Sequence, residues 1–158
     1  MGIHWPRTVI SQNVIQFETI YKRYEPESTV LFGFSAGAQV AFVAAAKSSP
    51  AVLMLASMPG WFAEDLPTRS EFHKRMVGHR RVSDYATLSF NDLAKGITAR
   101  SYVFVAEKEV KPYPHFLHRA EDAHSKIKQS ELIKVENAGH NISDSNYIRA
   151  IKRVVDSL

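Results

Sequence analysis

The sequence predicts an α/β fold, a three-layer sandwich built on a short parallel sheet of about four strands. Two observations carry this. The run "STVLFGF" is short and apolar with no alternation, as in a strand covered on both faces. Three further strand-like runs, "AVLMLAS", "ARSYVFVAE" and "ELIKVENAG", follow with helical stretches between them, and that alternation implies parallel pairing with right-handed crossovers.

The elements can be justified in order. From Thr8 to Tyr24, apolar residues recur at Ile10, Val14, Phe17, Tyr21 and Tyr24, the three-to-four spacing of an amphipathic helix. Glu25-Pro26 ends it, because the residue before a proline avoids helical backbone. The first strand then runs into Gly33-Phe34-Ser35-Ala36-Gly37, and a nearly all-apolar helix spans Ala36 to Lys47, stopped by Ser48-Ser49-Pro50. Ala51 to Ser57 is the second strand, Ala99 to Glu107 the third and Glu131 to Gly139 the fourth. "YPHFLHRAEDAHSKI" reads as a helix between the last two strands, and Ser143 to Leu158 as a C-terminal one. The segment 60–96 is polar and carries Pro67 and Gly78. It is expected as short helices and loops lying over the C-terminal edge of the sheet, where ligands bind in open α/β folds.

Composition narrows the function classes. The 158 residues, 45% hydrophobic and 23% charged, suit a globular chain, read as one domain over 1–158. With no cysteine, disulfides, thiolate metal sites and a cysteine nucleophile are excluded. The start "MGIHWPRTVISQ" lacks the apolar run of a signal peptide, and no stretch reaches the ~18 apolar residues of a membrane helix. A cytoplasmic protein with no membrane partner is the expectation. Lys+Arg 20 against Asp+Glu 16 leaves +4, partly concentrated in "FHKRMVGHRR". No aromatic residues interleave these charges as a base-stacking platform requires. The run reads as a solvated helix face, and nucleic acid is not an expected partner. His115, His118 and His124 have helical spacing, but no nearby carboxylate cluster completes a metal site.

The Gly-x-Ser-x-Gly pattern alone is weak, since at ordinary glycine and serine frequencies it arises by chance in about one chain in twenty of this length. Its context sharpens it. Ser35 follows a strand and opens a helix, the strained turn that lifts a nucleophilic hydroxyl out of a sheet. Gly33 and Gly37 are expected to be required because larger side chains would collide with neighbouring backbone. The helix N-terminus directs N–H groups and a positive dipole end to where an oxyanion develops, with Ala36 N–H as one donor. A serine needs a base, and the base an orienting carboxylate. His140, in "VENAGHNIS", follows the last strand, and "VFVAEKEV" offers Glu107 or Glu109 after the strand before it. The plain alternative is an inert turn serine with a surface histidine.

On "GFSAG", "YVFVAEKE" and "AGHN" the chain resembles the α/β-hydrolase superfamily, over the part from the nucleophile strand to the C-terminal helix. The superfamily order of serine, acid, histidine implies Ser35, an acid and His140 as catalytic residues. Members usually carry Gly-x-x-Asp after the acid strand. Ala106 stands at the Gly place here, which puts Glu109 at the acid place and favours it over Glu107. The resemblance implies a truncated α/β-hydrolase-like sheet and hydrolysis of a carboxylic ester or thioester, with no metal or organic cofactor. Phe34, Trp61 and Phe62, with Phe72, are candidate apolar walls for a small acyl substrate, or plain core.

Two consequences follow from the strands that the resemblance lacks. The loop that supplies the second oxyanion donor is not seen, and His4-Trp5 is a conceivable substitute. The strand "TVLFGF" becomes a sheet edge with no lysine or proline guarding it, which leads to the expectation of a two-fold homodimer through that edge. The competing functional class is a non-catalytic binding or assembly module of the same fold.

Overall fold

A computed structural model describes residues 8–158; His4 and Trp5 lie outside them. The elements in chain order are α1 (Ile10–Tyr21), β1 (Val30–Phe34), α2 (Ala36–Ser48), β2 (Val52–Ala56), α3 (Glu71–Val77), α4 (His79–Tyr85), α5 (Phe90–Gly96), β3 (Arg100–Ala106), α6 (Glu107–Val110), α7 (His115–Lys126), β4 (Ser130–Val135) and α8 (Ser145–Val155). The four strands are all parallel, in the order β1-β2-β3-β4, with Val30 beside Val52, Val52 beside Arg100 and Ser101 beside Ser130.

Local chemistry sets the helix ends. α1 stops at Tyr21, so Tyr24 falls beyond the helix and is exposed. Ser49 leaves α2 in the left-handed region, φ 46°, a common way to close a helix. Ser70, Ser89 and Asp144 accept N–H bonds from His73, Asp92 and Asn146 at the starts of α3, α5 and α8, the ordinary work of cap side chains.

The two faces of the sheet are covered unequally. On one face α1, α2, α5 and α7 bury Ile10, Val14, Phe42, Phe90 and Phe116 against Leu31, Leu53, Leu55 and Val103. On the other, α8 lays Tyr147 and Val154 over Met54, Tyr102 and Phe104. Alternation along β1 sends Leu31 and Gly33 toward α2 and Val30 and Phe32 to the opposite face. There they remain 45% and 41% exposed at the sheet edge.

Within 60–96 the expectation needs a correction. α5 is not part of a cover; it is a crossover helix in the four-helix layer. Phe90 stacks on Phe42 at 4.9 Å, and Ala94 is buried, because apolar residues four apart give this short helix a core-facing side. The basic run is divided between α3 and α4. Lys74 Nζ pairs with Glu71 at 2.8 Å, and Arg80 Nη2 donates to Gln12 Oε1 of α1 at 3.1 Å. No helix among the described residues is long and apolar enough to cross a membrane.

Candidate active site

Ser35 stands between the end of β1 and the first turn of α2, with φ 54° and ψ −126°. A non-glycine residue at such φ is strained, and strain of this kind persists only where surrounding structure imposes it. Here Ser35 N–H donates to Ala56 O at 2.8 Å, tying the turn to β2. Gly33 is sterically obligatory: a Cβ there would overlap the Gly37 carbonyl and Ala38 Cα. Gly37 is not. A Cβ at Gly37 meets nothing within 4 Å, because that position faces open space at the helix start, contrary to the collision expected from the sequence.

Ser35, His140 and Glu109 are joined by hydrogen bonds. His140 Nε2 lies 3.0 Å from Ser35 Oγ, and His140 Nδ1 lies 2.7 Å from Glu109 Oε2. A carboxylate can only accept, so Nδ1 carries the proton and Nε2 accepts from the serine hydroxyl. The glutamate side chain is fully buried while that of His140 is 34% exposed, so the acid is hidden and the imidazole reaches solvent. Glu107 is elsewhere: its Oε2 accepts from Asn137 N–H on the surface.

Nothing in the sequence marks what holds Glu109. Its Oε1 accepts Ala106 N–H at 3.0 Å and Ser57 Oγ–H at 2.7 Å. Since Ser57 spends its one proton there, Tyr147 donates to Ser57 Oγ, at 2.8 Å. Burial holds the Tyr147 hydroxyl well above its ordinary titration range, keeping it a donor. Ser57 has φ 48° at the C-terminal end of β2, a second strained serine beside the first. In sequence, Ser57 was only the end of a strand and Tyr147 only an apolar position on a helix.

Aromatic rings frame the imidazole. Phe34 and Phe116 each sit 5.0 Å from His140, and Phe34 also packs edge-on to Tyr147. Trp61 is half-buried, stacked on Tyr85 at 5.5 Å with the Arg69 guanidinium 4.8 Å from its ring centroid, and its carbonyl accepts from Gln39 Nε2 of α2. Phe62 is a correction. It is fully buried between Phe42 and Phe90, so it is core and cannot touch a ligand. Phe72 is 68% exposed on α3. The segment carrying Trp61 is pinned by the buried Arg119, which pairs with Asp65 and Asp122, while Asp65 Oδ2 accepts Phe62 N–H.

His115 stacks on Phe116. Burial foremost, then the Arg69 charge, lowers its pKa from 6.5 to about 4. Among the described residues no group of three or more His, Asp or Glu side chains is arranged to hold a metal ion.

Comparison with known proteins gives the fold. No protein-family model matches the sequence, and no curated protein matches it significantly. Among solved structures, the chain is similar to MenH from S. aureus, at 16% identity and a TM-score of 0.63, covering 98% of this chain and 77% of that one. It is similar to an esterase from Exiguobacterium antarcticum, at 15% identity and TM-score 0.65, over 94% and 73% of the two chains. A lipase-esterase related protein from Clostridium acetobutylicum matches at 12% identity and TM-score 0.69, over 99% and 79%. The chain has the α/β-hydrolase fold.

Proposed function

We propose that the protein is a serine hydrolase acting on a carboxylic ester or thioester. The observation that carries this reading is the continuous hydrogen-bonded series Ser35–His140–Glu109 on a strained strand-to-helix turn. Ser35 Oγ attacks the acyl carbon as His140 Nε2 takes its proton. The tetrahedral oxyanion is stabilised by Ala36 N–H at the α2 N-terminus. His140 returns the proton to the departing alkoxide or thiolate, leaving Ser35 acylated. Water, deprotonated by the same imidazole, then releases the acid. Glu109 holds the imidazole in the required tautomer and offsets its charge while it is protonated. Phe34 and Trp61 are the proposed acyl contacts, and Phe116 joins Phe34 against the imidazole.

Labelling with a fluorophosphonate probe tests the reading. The native protein should label, and Ser35→Ala and His140→Ala should not. A well-folded native protein that fails to label would leave a non-catalytic module of the same fold as the better reading.

The proposal extends to a partner. β1 lies at the sheet edge with Val30 and Phe32 exposed, and no lysine or proline interrupts it. Such an edge favours pairing with a second copy. Sedimentation should report a dimer that Phe32→Lys converts to monomer; a native monomer at micromolar concentration refutes this part.

A further inference from the structure

The serine-hydrolase reading leaves one demand unmet. Stabilising an oxyanion in this fold takes two donors, and Ala36 N–H is only one. A second donor is to be sought among the described residues. They show a polar side chain where an apolar one belongs. On α1 the core-facing stripe runs Ile10, Asn13, Val14, Tyr21. Asn13 is 1% exposed, and its Oδ1 is buried without a hydrogen-bond partner. Leaving such a group unsatisfied is destabilising, so its presence on this stripe calls for a reason.

Asn13 lines a small cavity, about 70 Å³, whose wall also includes Ala36, Thr8, Arg81 and Tyr85. That volume has room for an oxygen atom or a water. The cavity thus joins an unpartnered amide to the residue that supplies the first donor. An asparagine amide turns about its last bond at little cost, so its –NH₂ group can face the cavity. Side-chain amides serve as oxyanion donors elsewhere, where removing one lowers kcat by about 10²–10³.

We propose that the side-chain amide of Asn13 is the second oxyanion donor of this protein, acting opposite Ala36 N–H. The inference rests on Ser35 and His140 acting as proposed above. It assigns to a helix side chain the task that a backbone loop performs in the general plan of the fold.

The test uses the full chain hydrolysing p-nitrophenyl butyrate, with kcat, KM and Tm measured for each variant. Asn13→Leu keeps the volume and removes the unsatisfied group. It should retain or raise Tm while kcat falls by about 10²–10³ with little change in KM. An asparagine kept only for structure would give the opposite pattern, a lower Tm with kcat intact, and would overturn the proposal. So would unchanged kcat and Tm. Should Asn13→Leu fail to fold, Asn13→Asp keeps the shape and replaces the donor by a carboxylate; full activity in it refutes the assignment. A loss of this size in Tyr85→Phe, with Asn13→Leu unaffected, would move the role to the tyrosine. Native turnover that Ser35→Ala abolishes but Asn13→Leu does not sinks this inference alone. Native protein with no Ser35-dependent turnover sinks both.

Discussion

The two sides of Ser35 are built differently. On the acid side every polar atom is engaged: Glu109 Oε1 accepts from Ala106 and Ser57, Oε2 from His140, and Tyr147 closes the series through Ser57. On the oxyanion side Ala36 faces a small cavity and Asn13 carries an unpartnered oxygen. A buried carboxylate must be satisfied at all times, because it is charged at rest. The proposed oxyanion donors are needed only when charge develops, and Asn13 would have to turn its amide to offer one. On the proposed reading, the contrast separates a group that orients from groups that receive a transient charge.

The largest expected effect comes from the saturated side. Glu109→Gln presents an amide N–H to His140 Nδ1, which forces the proton onto Nε2 and removes the acceptor for Ser35. A loss of about 10⁴ in kcat is expected, by the tautomer argument established for triads. A loss below tenfold would show that Glu109 does not orient the base. Next is the turn between the two sides. Gly33→Ala drives a methyl into the Gly37 carbonyl and should cost about 3 kcal/mol by denaturant unfolding. Gly37→Ala, with free space around it, should be neutral or stabilising by up to about 1 kcal/mol. Equal penalties for the two would contradict the geometry.

Ser57→Ala is smaller. It takes one donor from Glu109 and leaves Tyr147 without an acceptor, for about 1–3 kcal/mol of stability and a kcat loss well below that of Glu109→Gln. Last is an effect that appears only in acid, titration at His115. Its folded pKa lies near 4 against an ordinary 6.5. Between those values the unfolded chain takes up a proton that the folded chain refuses. Stability from this group is therefore full above pH 6.5 and is lost as pH falls toward 4. His115→Asn should flatten that stretch of the Tm-against-pH curve. An unaltered slope would show that His115 is not held neutral.

The site was legible unevenly, and the reason is physical. Ser35, Glu109 and His140 follow the C-terminal ends of β1, β3 and β4, so chain order and local pattern place them. Glu109 stood apart from Glu107 only through its offset from Ala106, and burial separated them: one carboxyl faces His140, the other a surface N–H. Ser57, Tyr147 and Asn13 carry no local mark at all. Ser57 meets Glu109 across 52 residues, Tyr147 meets Ser57 across 90, and Asn13 shares a cavity wall with Ala36; a polar residue on a helix stripe looks the same whether it is capped, wet or waiting.

Local periodicity and turn chemistry in the sequence were enough to determine the strand count, the parallel order of elements, the strained turn at Ser35 and the candidate nucleophile, acid and base. These depend on short-range sterics and on the few ways a strand can lead into a helix. Tertiary structure alone decided that Phe62 is core, that Gly37 has room, that α5 belongs to the helix layer, that Ser57 and Tyr147 hold Glu109, and that Asn13 shares a cavity with Ala36. Those outcomes depend on which side chains meet across the sheet, and packing between distant segments is not encoded in any one of them.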